Sequence, residues 1–251
     1  MNFSLFNYTG ALQVFKREFS SFFTQITAYA LIIVFLLLSL GFCFSFGHFM
    51  EIGDASLEYS FFRWLPWFLM FLVPAVGMRL WSDEYRNGTI ELIGTLPIPM
   101  RSVILGKYMA SLAVWAITLA LTFPIWIVVN YLGDPDNLLI VSGYLGSLLV
   151  CACFLAVTSL VSAFTRDQVV CLVVSVFICA FMTLAGFEPL LRSMNSVLPE
   201  WLSDLVASTT VDEHFRSMVR GNVRLHDLVW FFSIIVGGLL GTNAVLKAKR
   251  A

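Results

Sequence analysis

Charge is scarce in this sequence. Of 251 residues only 12% are Asp, Glu, Lys or Arg, while 59% are hydrophobic, and a soluble globular chain carries about twice that charge. This excludes a water-soluble domain and points to an integral membrane protein. Long polar stretches are missing too. The longest, 188–227, is the size of one supersecondary unit, so no separate soluble domain fits. Neither an internal repeat nor a low-complexity linker occurs.

Several chemistries lack their parts. No His, Asp or Glu sits at the middle of any apolar run, and His48, His214 and His226 all lie towards the outer side. An intramembrane protease or a proton-coupled transporter needs titratable groups within the bundle, so neither is expected. No Gly-rich loop ending in Gly-Lys-Ser/Thr is present; Gly106-Lys107 is followed by Tyr108, which rules out ATP binding by that route. The five cysteines, Cys43, Cys151, Cys153, Cys171 and Cys179, fall inside apolar runs, where small apolar packing is the usual role. Cys151 and Cys153, two apart, turn to nearly opposite helix faces and chelate poorly; a soft-metal role for Cys with the nine Met residues is the alternative. No catalytic, cofactor-binding or metal residue is assigned, and nucleic acid is not an expected partner.

What the chain does have is apolar runs of spanning length. A membrane helix needs roughly 20 mainly apolar residues, and six runs qualify: 24–49, 60–81, 106–131, 138–164, 169–187 and 228–246. Arg63 and Arg79 stand near the ends of the second, where basic side chains snorkel to the headgroups. The reading is one all-α transmembrane domain over 1–251. The first run is too long for a signal-peptide core, and no small-residue cleavage site follows it. Residues 10–23 precede it with Leu12, Phe15, Phe19 and Phe22 on one helical face; they form either an interfacial amphipathic helix or a cytoplasmic extension of the first span.

With six spans, both termini share a side. That side holds ten basic residues, from Lys16 and Arg17 through Arg86, Arg101, Lys107 and Arg166 to Arg250, against five on the other, Arg63, Arg192, Arg216, Arg220 and Arg224. The positive-inside rule makes both termini cytoplasmic and places the chain in a cell membrane as a multi-pass protein. The segment 82–105 is then cytoplasmic. Within it Asn87-Gly88 signals a turn, Thr89 can cap the following amides, and IELIGTL makes two helical turns that Pro97 ends. Ile90, Leu92, Ile93 and Leu96 cover much of this short helix, 89–96, and need a cover: its own bundle, the interface, or a partner. Asp83 and Glu84 either face that partner or pair with Arg79 or Arg86.

The run SDEYRNGTIELIGTLPIPMRSVILGKYMA resembles the cytoplasmic signature of type 2 ABC exporter permeases, the ABC-2 membrane family. An acidic and basic cluster is followed by Gly-Thr, a Glu among apolar residues, Leu-Pro and Gly-Lys, with Glu84, Arg86, Gly88, Thr89, Glu91, Leu92, Leu96, Pro97, Gly106 and Lys107 at matching positions. The likeness extends over nearly the whole chain and is closest to small permeases of the gliding-motility (GldF) and nitrous-oxide-reductase maturation (NosY) kind. It implies a permease that couples ATP hydrolysis by a separate ABC ATP-binding subunit, present in two copies, to export or to mechanical signalling. ATP and Mg would be bound by that subunit. Segment 89–96 would be the coupling helix, with Glu84, Arg86, Gly88, Thr89, Ile90, Glu91, Leu92, Ile93 and Arg101 at the contact and Arg166 and Asp167 of loop 165–168 as a second one. Apolar residues would anchor it and rim charges set its register.

The resemblance also implies a homodimer in a bacterial inner membrane, since six helices offer no obvious polar channel. Trp67, Phe71, Phe177 and Phe181 are candidate pathway residues between copies, though a lipid-facing aromatic belt explains them equally. The outer segment 188–227 shows helix signals at Pro199 and Thr210. Thr210 with Glu213 reads as a capping box, and Arg220-Gly221 as a left-handed stop. It is read as a lid or re-entrant element, or as a contact for cargo or an outer partner. The rival function is a non-transporting membrane scaffold that recruits an ATPase or other protein.

Overall fold

The computed structural model describes residues 8–45, 57–95, 97–133, 135–185 and 210–249. Among them all regular structure is helical. In chain order the helices are α1 Tyr8–Thr24, α2 Ile26–Ser45, α3 Leu65–Gly77 (after a 3-10 turn, Phe62–Trp64), α4 Arg79–Arg86, α5 Thr89–Thr95, α6 Met100–Ala120, α7 Phe123–Leu132, α8 Asn137–Phe164, α9 Gln168–Leu184, α10 Val211–Val219 and α11 Leu225–Ala248.

Five helical stretches are long and apolar enough to cross a membrane: Ile26–Ser45, Phe62–Arg86, Met100–Leu132, Asn137–Phe164 and Leu225–Ala248. The sixth expected span is apolar, but its described helix α9 has 17 residues, about 26 Å at 1.5 Å each, short of the roughly 30 Å hydrocarbon layer. The expected helix opening at Pro199 lies outside the described residues, as do His48, Leu96 and Arg192.

The centre of the bundle is α8. It is packed on by α3, α4, α6, α9, α10 and α11, and most of its circumference is buried. Its N-cap Asp136 accepts the Leu138 amide at 3.0 Å. Small side chains let the neighbours come close, as membrane helices require when lipid is as apolar as the core. A Cβ on Gly238 of α11 would stand 2.9 Å from the Ala156 carbonyl oxygen, and one on Gly77 of α3 would stand 2.7 Å from the Thr158 methyl. The hydroxyls of Ser147 and Thr158 turn back onto the carbonyls of Gly143 and Phe154, at 2.8 and 2.7 Å, so they enter the core satisfied. α9 sets Cys171, Ser175, Cys179 and Thr183, four apart, towards the bundle, and Val170, Val173, Val174, Phe177 and Phe181 outwards.

Two spans that read as continuous are broken. The second divides at Met78 into α3 and α4, and the second piece runs on to Arg86, so 82–86 is helix and not loop. Ser162 of α8 repairs the break: its hydroxyl lies 3.0 and 3.1 Å from the amides of Trp81 and Ser82 and donates to the Met78 carbonyl at 3.0 Å. These are two of the four amides that a new helix start leaves without partners. The third span divides after Ala120. Pro124, in the first turn of α7, lacks the N–H that would reach the Ala120 carbonyl, and its ring would collide there. Thr122 in the gap bonds the Leu119 carbonyl at 2.6 Å and the Tyr144 hydroxyl at 2.9 Å.

Helix α1 packs along the first turns of α6, and its buried residues are Gly10 and Val14. Leu12, expected on the apolar face, is 54% exposed, while Phe15, Phe19 and Phe23 form a ladder with ring centroids 5.6 and 5.0 Å apart. The inward stripe is set by closeness of approach rather than by size. A Cβ on Gly106 would stand 2.8 Å from the Ala11 carbonyl oxygen and 2.9 Å from the Val14 Cβ.

At the opposite end α10 caps the bundle. Phe215 and Met218 lie over Gly146, and the Ser142 hydroxyl donates to the Met218 carbonyl at 2.6 Å. Thr210 occupies the N-cap position but its side chain makes no capping bond; Gly221, at φ 76°, stops the helix. Arg216 pairs with Asp212 and Arg220 with Glu58, both at 2.8 Å. Burial pushes the Asp212 carboxyl up, and Arg216 only partly offsets this.

Gly106→Ala should lower stability by about 1–3 kcal/mol as α1 is pushed off α6, whereas Gly41→Ala, with nothing within 4 Å, should be neutral or stabilising. Thermal unfolding of both variants in detergent checks the contrast; equal effects would remove the close approach as the reason for Gly106.

Candidate docking site at the end that carries α5

The short helix α5 is held by a hairpin of sequence-local geometry. α4 ends at Asn87, whose amide reaches the Asp83 carbonyl at 2.9 Å, and Gly88 takes φ 70°, the left-handed stop that glycine adopts without strain. α5 then starts at once. Thr89 is its first residue rather than a cap ahead of it, and the Thr89 hydroxyl donates to the Glu84 carboxylate. The helix ends at Thr95, and after Pro97 and Pro99 the chain enters α6 at Met100.

The two faces of α5 differ. Ile93 is buried, and Ile90 packs beside it, in a cluster with Leu80, Trp81, Met100, Val103 and Val14. Leu92 is 65% exposed, and Glu91 and Thr95 stand exposed beside it. Two of the three expected anchor residues, Ile90 and Ile93, therefore cover the protein's own bundle, and Leu92 is displayed. Arg86, Gly88, Arg101, Arg166 and Asp167 are also exposed at this end.

Below α5 lies a buried charge. Lys107, two turns into α6, is only 3% exposed; its ammonium stands 2.8 Å from Glu84 of α4 and 3.2 Å from Glu18 of α1, and 5.7 Å from the Trp81 ring. Glu18 also accepts from Arg17 at 2.6 Å, which holds the guanidinium charged above its ordinary range. A desolvated ammonium is tolerated only when it is paired and bonded on several sides. Glu84 is thus an internal tie and not a rim charge, and its partner is neither Arg79 nor Arg86. Arg79 instead donates to Gln25 and Thr27 at 2.9 Å each, pinning the α1–α2 junction. A cleft of about 430 Å³ opens between α1 and the α4–α5 corner, with Arg17, Arg79, Asp83, Glu84 and Lys107 on its walls.

The loop 165–168 is tied to the same corner. Asp167 caps α9 by accepting the Val169 amide at 2.8 Å, and the Gln168 side chain donates to Asp83 of α4. Lys249, past the end of α11, donates to the Ala163 and Phe164 carbonyls that close α8, at 2.8 and 2.9 Å, and lies 4.4 Å over the Tyr85 ring. Burial and the neighbouring Arg166 hold the Lys249 ammonium below its usual value.

A family profile described as ABC-2 family transporter protein matches residues 12–194. The chain belongs to the ABC-2 transporter family. The match runs from α1 through α9, so it takes in α5, the buried Lys107 and the loop 165–168. As an ABC-2 permease the protein is the membrane component of an ABC transporter, in a family whose membrane components carry no ATP site of their own and which implies an ATP-binding partner. A search of curated proteins found no match.

The ABC-2 permease thus has its signature charges divided: Glu84 and Lys107 point inward, while Arg86, Glu91 and Arg101 face out. Reading the sequence missed Glu18, Ser162, Gln168 and Lys249. None carried a clear signal, because the run read as starting at 106 puts Lys107 at its entry, whereas α6 starts at Met100 and leaves the lysine two turns inside. Of the candidate pathway residues, Trp67 is half-buried against the core, while Phe71, Phe177 and Phe181 are 53, 76 and 62% exposed on the outer faces of α3 and α9.

Glu84→Gln should cost about 3 kcal/mol, because it leaves Lys107 buried with one acid fewer; adding Lys107→Met should recover much of that loss, with Glu18 retained by Arg17. A double-mutant cycle by thermal unfolding measures the coupling, and additive losses would show that the pair is not coupled.

Proposed function

We propose that this ABC-2 permease is an exporter subunit driven by a separate ATP-binding subunit, and that α5 is its coupling helix. The reading is carried by one observation: a two-turn helix with one face locked to the bundle and the other offering an exposed Leu92 with Glu91 beside it and Arg86 and Arg101 nearby. An exposed leucine among mixed charges is the composition of a contact with an apolar anchor and a charged rim. Arg166 and Asp167 give a second, smaller contact. α5 continues through Gly88 into α4, and α4 is held to α1, α6, α8 and α9 through Glu84, Ser162 and Asp83. A displacement of α5 therefore reaches several spans at once.

In this reading the chain has six spans, the apolar run 169–187 being the fifth, with both termini in the cytoplasm of a bacterial inner-membrane protein and α1 in the interface. Two copies associate, with two ATP-binding subunits that hold ATP and Mg. The exposed apolar faces of α3 and α9, with Phe71, Phe177 and Phe181, supply the surfaces between which an apolar or amphipathic substrate passes. Membership of the gliding-motility or nitrous-oxide-reductase maturation branch, and any outer-side partner, belong to the same proposal.

Glu91→Lys and Leu92→Asp should each reduce co-purification with the ATP-binding subunit about tenfold and remove stimulation of its ATPase, while Ile93→Ala should lower stability instead, by about 2 kcal/mol or more. Unchanged stimulation in both outward variants would end the docking role. Efflux or lipid flipping by the reconstituted complex separates an exporter from a scaffold that only recruits the ATPase.

A further inference from the structure

The end opposite α5 brings together three side chains that neither the permease reading nor the family match uses. His214 lies on α10, His226 and Asp227 in the first turn of α11, all beyond the matched residues 12–194. One ligand atom from each, the three together, lies within 4.8 Å of the others. The geometry points to a binding site for a divalent transition-metal ion of the zinc class, with these two imidazoles and one carboxylate as its ligands.

The distances suit the ion. His214 Nδ1 is 2.7 Å from Asp227 Oδ1, and His226 Nδ1 is 3.8 Å from the same oxygen. Ligand bonds of about 2.0–2.1 Å at a tetrahedral angle set donor atoms roughly 3.3 Å apart, between the two values. Closing the wider gap takes a turn of His226, whose side chain is 76% exposed, while the buried pair opens by roughly 0.6 Å as the proton between Nδ1 and Oδ1 is released. His214 is held by stacking on Trp230 at 4.5 Å between centroids, so one ligand is preset, and the exposed His226 provides the way in.

A second observation is independent of those distances. The Asp227 side chain is 5% exposed, and its other oxygen, Oδ2, is buried and accepts no hydrogen bond among the described residues. A carboxylate oxygen left so in a low-dielectric site is costly, and a bound dication would offset that cost. Two nitrogens and one oxygen favour zinc, copper(II) or nickel over calcium or magnesium, which take all-oxygen sites. Three protein ligands leave a fourth position for water or another donor. The opposing charge is the Arg224 guanidinium, which acts on the same carboxylate but is exposed and screened by water. Occupancy would clamp α10, the helix that caps this end, to the start of the last span.

The test uses the full chain in detergent, its affinity tag removed, titrated with Zn²⁺ by calorimetry and followed by thermal unfolding. One Zn²⁺ per chain should bind, and saturating Zn²⁺ should raise the unfolding temperature. His226→Ala, an exposed change that leaves the His214–Asp227 pair intact, should weaken binding about tenfold or more and abolish the thermal shift; Asp227→Asn should weaken it likewise if it folds. Absence of stoichiometric binding, or equal affinity in His226→Ala, would overturn the site and leave His214–Asp227 a plain buried hydrogen-bonded pair. Neither result bears on ATPase docking at the other end.

Discussion

The fold depends on how one ammonium is kept out of water. Lys107 sits inside a spanning helix, and two carboxylates from two other helices converge on it. A bare charge in that position is worth several kcal/mol against folding, so α1 and α4 are forced to their places on α6. Once Glu84 is so placed, its remaining capacity takes the Thr89 hydroxyl and sets the start of α5. Gly106, one residue earlier, lets α1 close enough for Glu18 to reach. The signature Gly-Lys that could be mistaken for a fragment of a phosphate loop is a packing and pairing device.

The same end shows how a short helix is made rigid without a large core. α5 has too few residues to be stable by propensity. It borrows stability from a left-handed glycine, from one buried isoleucine and from the charge beneath it. α4 in turn is fixed to α8 because Ser162 completes the amides exposed where the span breaks at Met78. A break in a membrane helix is tolerated where a neighbour's hydroxyl satisfies the freed backbone.

Much of the architecture was legible in the sequence because membrane spans are written in composition over some 20 residues. The runs 60–81 and 106–131 each read as one unbroken span, since averaging over a window hides what Pro124 and Met78 do locally. The bounds of α5 were legible from Asn87-Gly88 and Pro97. Its inward face was not: with apolar residues at 90, 92 and 93, two helical turns do not say which side meets the bundle, and Ile93 rather than Leu92 turns in because Trp81 and Val103 are there to receive it. Glu84 read as a rim charge because its partner is 23 residues away on another helix. Such long-range pairs leave no periodic trace, and the approach of His214 on α10 to Asp227 on α11 is hidden for the same reason.

The division of α5 into an inward Ile93 and an outward Leu92 has an evolutionary consequence. Residues that hold the helix and residues that meet the outside world alternate within a single turn. Changes at the exposed Glu91 or Leu92 therefore meet little folding constraint. The outward face can drift to suit a new motor subunit, or be redesigned to refuse an old one, without disturbing the membrane machine beneath it.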